Sequence, residues 1–219
     1  MGLSELLTTY GPNYLTALLT TWRITAVSFV LVMALSILIT VLRVCPFKPL
    51  RVFGDFYVQV FRNIPGAVLI LIVVYALPHL KLVLDYEPSV VLCTVLLGAS
   101  FGSENFMTGI NTIGVGQIEA ARSLGLSFGK ILRTIVIPQA LRSTVLPMTN
   151  LFIAVMLTTA LGSQVPMTPQ ELTGVVTYIN TRESAGIVTF FVSAAGYIST
   201  ALVAGFVGNA IDKKVRVIR

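Results

Sequence analysis

Residues 119–138 read EAARSLGLSFGKILRTIVIP, a basic amphipathic stretch broken by glycine and set between two long apolar runs. Its residue types suit docking rather than bond making. Glu119 is flanked by the small Ala120 and Ala121, and Ile131, Ile135 and Ile137 recur ahead of Pro138. Gly125 can take the left-handed backbone that closes one helix and admits the next. Two short helices meeting at an angle form a knob that fits a groove on a partner; the competing reading is an interfacial helix that merely caps the bundle. Glu104 is the second telling residue, because an ionisable group at mid-membrane costs about 2.5–3.5 kcal/mol on insertion scales. Such a group faces a cavity, pairs inside the bundle, or lies near enough to the inner surface to stay wet. Ser100 and Ser103 are close enough in sequence to cap it, and Asn105 is its polar neighbour. Gly129-Lys130 lacks the Ser/Thr and the upstream spacing of a phosphate-cradling loop, so energy from ATP would have to come from a separate chain.

These residues sit in a chain built for a bilayer. Of 219 residues 55% are hydrophobic and 11% charged, with a mean hydropathy of +0.89. Uncharged runs occupy 24–42, 63–80, 88–103, 143–170 and 184–211. A spanning helix needs roughly 20 mainly apolar residues, and these runs are apolar all round rather than amphipathic. The expectation is an all-α, multi-pass membrane bundle of about five spans, near 15–42, 57–78, 88–109, 142–162 and 185–209. A single domain covers 15–210, after a short outer segment, 1–14, with a turn at Gly11-Pro12-Asn13. A basic tail, 211–219, ends the chain. Residues 43–56 are expected to form an amphipathic linker whose Val52, Phe53 and Phe56 lie on the inner leaflet. Pro166, Pro169 and Glu171 mark an excursion of loop and helix over 163–183. Pro138 and Pro147 bend or start the fourth span.

The net charge of +6 records topology, not a nucleic-acid partner. Arg43, Lys48, Arg51 and Arg62 follow span one; Arg122, Lys130, Arg133 and Arg142 follow span three; Lys213, Lys214, Arg216 and Arg219 follow span five. The positive-inside rule then sets the N-terminus outside and the C-terminus in the cytoplasm. Cys45 and Cys93 offer no disulfide framework. His79 has no second His or Cys nearby in sequence, so no metal site is expected. Arg62, ahead of Asn63-Ile64-Pro65, either holds loop carbonyls at the start of span two or anchors to lipid headgroups.

The loop resembles the signature of bacterial ABC importer permeases: Glu119-Ala120-Ala121, three residues, Gly125, nine residues, then Ile135, Ile137 and Pro138. Where Ile137 stands the family usually has Leu. Residues 57–65 (YVQVFRNIP), 109–126 (GINTIGVGQIEAARSLGL) and 131–151 (ILRTIVIPQALRSTVLPMTNL) resemble the permeases for polar amino acids, a likeness covering about 15–210. That resemblance implies a type I transmembrane domain with a cytoplasmic coupling helix in a bacterial plasma membrane. It implies two separate ATPase subunits using ATP and Mg, a second permease subunit, and an extracytoplasmic substrate-binding protein; this chain is then no enzyme and binds no cofactor itself. It also assigns Glu119, Ala120, Ala121, Gly125, Ile135 and Pro138 to ATPase coupling, and Glu104 to a substrate ammonium group, with Asn105 a weaker candidate beside it.

Departures from the family pattern bear on substrate. Met107 stands where a basic residue is frequent, and residues 157–160 are Leu-Thr-Thr-Ala where many members have Lys-Asp-Thr-Ser. Thr158 and Thr159 donate hydrogen bonds but cannot balance a cationic side chain; the plain alternative is Thr-rich helix packing. The expected cargo is therefore acidic or neutral polar, of the glutamate, glutamine or aspartate type. A basic amino acid carried through a related partner permease is the alternative. An ion-gradient transporter or channel would favour more membrane ionisable groups and paired inverted segments. A membrane enzyme would need a nucleophile–base or acidic cluster, and none is visible.

Overall fold

The computed structural model describes residues 2–183 and 185–215, in which every regular element is helical. In chain order these are α1 (Leu3–Val44), α2 (Lys48–Asn63), α3 (Gly66–Leu71), α4 (Tyr86–Ile110), α5 (Val115–Ser123), α6 (Phe128–Ile131), α7 (Ile137–Ser143), α8 (Val145–Thr158), α9 (Leu172–Asn180) and α10 (Ile187–Val215). Among the described residues, Leu3–Val44, Tyr86–Ile110, Val145–Gln164 and Ile187–Val215 are long and apolar enough to cross a bilayer. The pair Lys48–Asn63 and Gly66–Leu80, bent by 99°, makes a fifth crossing if taken as one span. Of the expected basic tail, Arg216 and Arg219 lie outside the described residues.

Two expectations are corrected. The turn at Gly11-Pro12-Asn13 does not form: α1 runs unbroken from Leu3 through Pro12, across the expected boundary at residue 14. At 1.5 Å per residue its 42 residues extend about 63 Å, twice a hydrocarbon core of about 30 Å. The extra length is used, because Leu6, Tyr14 and Ala17 pack with Leu172, Val175 and Ile179 of α9. Tertiary burial outweighs the turn chemistry of one Gly-Pro pair. Span two is likewise not a continuous helix over 57–78. Residues 57–63 belong to α2, and the chain turns at Ile64, which is extended (φ −85°, ψ 128°). Pro65 imposes this, since its ring disfavours helical backbone at the preceding residue. Of the linker expected over 43–56, residues 48–56 are thus the first part of a longer helix whose Val52, Phe53 and Phe56 are exposed, while 43 and 44 end α1.

Prolines shape two further stretches. Pro78 and Pro138 each follow a π-helical turn, Ile72–Ala76 and Leu132–Val136. A proline inside a helix removes one hydrogen bond and clashes with the carbonyl four residues back, here that of Val74 or Thr134, and the wider turn relieves both.

The centre of the bundle is α1 against α4. A stripe of small polar residues on α1 (Thr21, Thr25, Ser28, Ser36, Thr40) is buried, and Gly98 and Gly102 face α1 across the contact. A Cβ at Gly102 would run into Ser36, so glycine is required there. Ser36 Oγ donates to the Ala99 carbonyl at 3.3 Å, and Thr40 Oγ1 to Ser103 Oγ at 3.1 Å. Small residues and hydroxyls are the usual means of close helix approach in lipid, where hydrophobicity alone does not drive association. α8 completes this core: Val32, Val95, Phe106, Met148, Leu151 and Val155 form one cluster.

Candidate functional site

Two sites occupy the same end of the bundle, where α1 stops and α4 leads into the elbow. The first is the elbow itself. α5 ends in a pair of reverse hydrogen bonds: Leu126 N–H donates to the Ala121 carbonyl at 3.1 Å, and Gly125 N–H to that of Arg122 at 2.9 Å. Gly125 has φ +72°, the left-handed residue such a closure needs, and a side chain there would cost roughly 1–2 kcal/mol. Ala121 and Leu126 then pack with Ile113, Ile131, Leu132 and Val136, and Val41 and Val44 at the end of α1 join the same cluster. Gln139 Nε2 donates to Gln117 Oε1 at 2.8 Å, joining α7 to α5.

The elbow's other face is open. Leu124 is 80% exposed and Val115 70% exposed, and Glu119, Ala120 and Arg122 are also exposed. Ile135 and Pro138 are half-buried behind it. A closed cap would bury these apolar side chains. Instead the elbow is a firmly seated knob whose outward surface is apolar with one acid and several bases.

The second site is an ion network. Arg43 Nη2 pairs with Glu104 Oε1 at 2.8 Å, and Arg43 Nε with Asp55 Oδ1 at 2.8 Å. Arg62 Nη1 lies 3.5 Å from Glu104 Oε2 and its guanidinium sits 5.6 Å from the Phe101 ring centre. Arg43 Nη1 also donates to Ser103 Oγ at 3.1 Å. So the end of α1, α2 through Asp55 and Arg62, and the last third of α4 are joined by one chain of charges. Glu104 is stabilised by two guanidinium groups and not by Ser100, whose hydroxyl donates to the Leu97 carbonyl at 2.6 Å. Arg62 holds a carboxylate and an aromatic face rather than loop carbonyls. Arg43 and Asp55 escaped the sequence reading because a basic residue after a span already has an explanation in topology, and their meeting depends on how α2 folds back.

The four polar residues singled out along the membrane do not converge. Asn105 Nδ2 donates to the Pro147 carbonyl at 3.2 Å, tying α4 to α8. Thr159 is buried with its hydroxyl on the Met156 carbonyl at 2.7 Å, whereas Thr158 is half-buried and bonds back to Ala154 at 2.8 Å. α4 and α8 run past each other with Gly98 against Val155 and Gly102 against Leu151. That register puts Thr158 level with about residue 95, some nine residues from Glu104, or about 14 Å along the helix.

A charged residue outside the spans also has a structural task. Glu171 is fully buried at the start of α9, accepting from Gly174 N and Thr173 N at 2.6 Å each and from Tyr197 Oη at 2.9 Å. Glutamate is not among the preferred capping residues, which is why the sequence marks it only as part of a loop-and-helix excursion and not as a cap. Burial pushes its carboxyl above the ordinary range, against the opposing effect of the bonds it accepts. A raised folded pKa favours the protonated form on folding, so this group's contribution is present below the unfolded value and is lost as pH rises through the folded one. Thermal unfolding of purified protein is expected to show that decline from about pH 4.5 upward, and Glu171→Gln to flatten it. An unchanged slope in the variant would assign the pH dependence elsewhere.

The fold and elbow have relatives. A family model described as "Binding-protein-dependent transport system inner membrane component" matches residues 33–217. The chain belongs to this family. The glutamate transport system permease protein GluC of Corynebacterium glutamicum is 31% identical over 98% of this chain and 99% of that protein. The arginine transport system permease protein ArtQ of Bacillus subtilis is 28% identical over 94% and 93%. Among solved structures, "an amino acid ABC transporter with histidines" superposes with a TM-score of 0.87 at 21% identity, covering 98% of this chain and 99% of that one. An inward-facing MetNI methionine ABC transporter gives 0.76 at 19% identity, over 99% and 100%. These findings establish a type I ABC transmembrane domain in the amino acid group of importer permeases. Permeases of this family are multi-pass membrane components that work with separate ATPase and binding-protein partners and are not themselves catalytic.

Proposed function

We propose that this permease carries an acidic or neutral polar amino acid of the glutamate, glutamine or aspartate type, by alternating access driven through the elbow. The observation that supports the coupling half is the knob of α5 and α6: a stiff helix closure at Gly125 behind an exposed Leu124 and Val115. In this reading Glu119, Ala120, Ala121, Gly125, Ile135 and Pro138 form or support the surface on which two ATPase subunits push. ATP and Mg are bound by those partners. The elbow and the C-terminus face the cytoplasm and the N-terminus lies outside, a reading supported by the distribution of Arg and Lys.

The substrate half is supported by charge. Both carboxylates near the α1–α4 contact, Glu104 and Asp55, are already paired with arginines. At Thr158 there is a hydroxyl where a cationic cargo would need an acid. GluC, which this chain matches over nearly its full length, is named a glutamate transport system permease protein. Within this chain the contact set narrows to Glu104, one-third exposed, and the half-buried Thr158, which act at different depths. Asn105 and Thr159 support packing. The missing charges at Met107 and Thr158 favour a related but different chain as second permease. The experiment is ATP-dependent uptake by the assembled complex, with its binding protein, across twenty amino acids. Glutamate, glutamine or aspartate should lead; uptake restricted to cationic amino acids would overturn the substrate assignment. Glu104→Gln should raise KM without loss of assembly, and an unchanged KM would leave that residue with its ion-pair role alone.

A further inference from the structure

A cavity of about 760 Å³ opens between α1, α8 and α10, away from both sites described above. Its walls are apolar, formed chiefly by Phe29, Met33, Phe152, Val203, Val207 and Ile211, and no charged side chain lines it. The hydroxyls on its surface are committed within their own helices: Thr25 donates to the Thr21 carbonyl, Thr149 to that of Val145, and Ser199 and Thr200 to that of Gly196. Trp22 Nε1 donates to Thr200 Oγ1 at 2.9 Å and closes one end. A polar cargo would find neither a free hydroxyl donor nor a charge here.

Length and charge identify the occupant. Along α10 the lining runs from Ser199 to Ile211, about 18 Å at the helical rise, close to the roughly 15 Å of one leaflet's hydrocarbon. The end opposite Trp22 lies at the elbow side and is flanked by cations. Arg142 is exposed and lies three residues ahead of the lining residue Val145, at the junction of α7 and α8. Lys214 is exposed and three residues beyond the lining residue Ile211, hence on the same side of α10. Asp212 is turned about 100° away from Ile211 around the helix. We propose that this groove holds one acyl chain of an anionic phospholipid from the elbow-side leaflet, with its phosphate between Arg142 and Lys214.

Trp22 is the single tryptophan of the chain and reports on the end of the groove away from the elbow. The full chain is reconstituted in nanodiscs of unbrominated phosphatidylcholine containing increasing fractions of brominated phosphatidylglycerol or, separately, brominated phosphatidylcholine. Quenching by the glycerol lipid should saturate, with a half-point roughly 25-fold lower than for the choline lipid, the preference of two cations at an anionic headgroup. Bromines near the chain end should quench more than bromines near the carbonyl. Arg142→Gln and Lys214→Gln should each raise the half-point about fivefold, and Ala204→Phe should abolish saturation by filling the groove. If Ala204→Phe fails to fold, the two exposed charge variants carry the test. Quenching that rises linearly with mole fraction and is equal for both lipids would overturn the proposal. So would a photoreactive label at Val207→Cys in the assembled importer that joins the second permease subunit instead of lipid, since the groove would then be a subunit interface.

Discussion

Gly125→Pro is expected to reduce ATP-driven uptake to background while the protein still inserts. Proline holds φ near −65°, whereas Gly125 sits at φ +72°. The substitution also removes the N–H that donates to the Arg122 carbonyl at 2.9 Å. A cost of about 3 kcal/mol or more corresponds to a loss of at least roughly 100-fold in the population with the knob correctly formed. Gly125→Ala keeps the N–H and should show a partial loss, and Ala121→Glu, which would drive a charge into the cluster with Ile131 and Val136, should resemble the proline variant. Proteoliposome uptake, normalised to inserted protein and to copurified ATPase, is the measurement. Normal uptake in Gly125→Pro would remove the elbow from the coupling pathway.

Arg43→Ala should cause the largest loss of stability among substitutions away from the elbow. It leaves Glu104, Asp55 and Ser103 without the guanidinium that joins them. Removing one partner of a fully buried pair costs about 3–5 kcal/mol. Arg43 is only 12% exposed, but Glu104 and Asp55 are 34% and 52% exposed, so solvent screening lowers the expected figure to about 2 kcal/mol. For a chain of this size that is a fall in Tm of roughly 4–8 °C. Arg43→Ala combined with Glu104→Gln should lose less than the sum of the two single changes, because both act on the same pair. Additive losses, or an unchanged Tm for Arg43→Ala, would mean that the network contributes nothing to holding α2 against α1 and α4. Arg43→Lys should recover only part of the loss, since an ammonium cannot satisfy two carboxylates and a hydroxyl with one planar fork.

The elbow was readable because its logic is local. A left-handed glycine after a short helix, a proline thirteen residues later and apolar residues between them are properties of adjacent residues, and Gly125 adopts the backbone its position implied. The spans were readable for a related reason: a run of about 20 uncharged residues has few alternatives in lipid. Where local signals competed with packing, the reading failed. Gly11-Pro12-Asn13 looks like a turn, yet those residues are helical because Leu6, Tyr14 and Ala17 have α9 to pack against. Residues 57–78 look like one span, yet Ile64-Pro65 divides them.

Glu104 shows the boundary most clearly. Its presence in an apolar run announced that it must have partners, because an unpaired charge there is costly. Sequence could offer only near neighbours, Ser100 and Ser103, as candidates. The actual partners, Arg43 and Arg62, are 61 and 42 positions away, and they reach it only because α1 lies directly on α4 and α2 folds back beneath both. Helix identity, span count, charge asymmetry and the knob with its glycine hinge thus follow from the order of residues, since each is decided within a few helical turns. Which carboxylate meets which guanidinium, where a proline-bent helix turns back, and which hydroxyls remain free to face a cargo are set by helix-to-helix packing, which brings together residues whose separation in the chain carries no information about their separation in space.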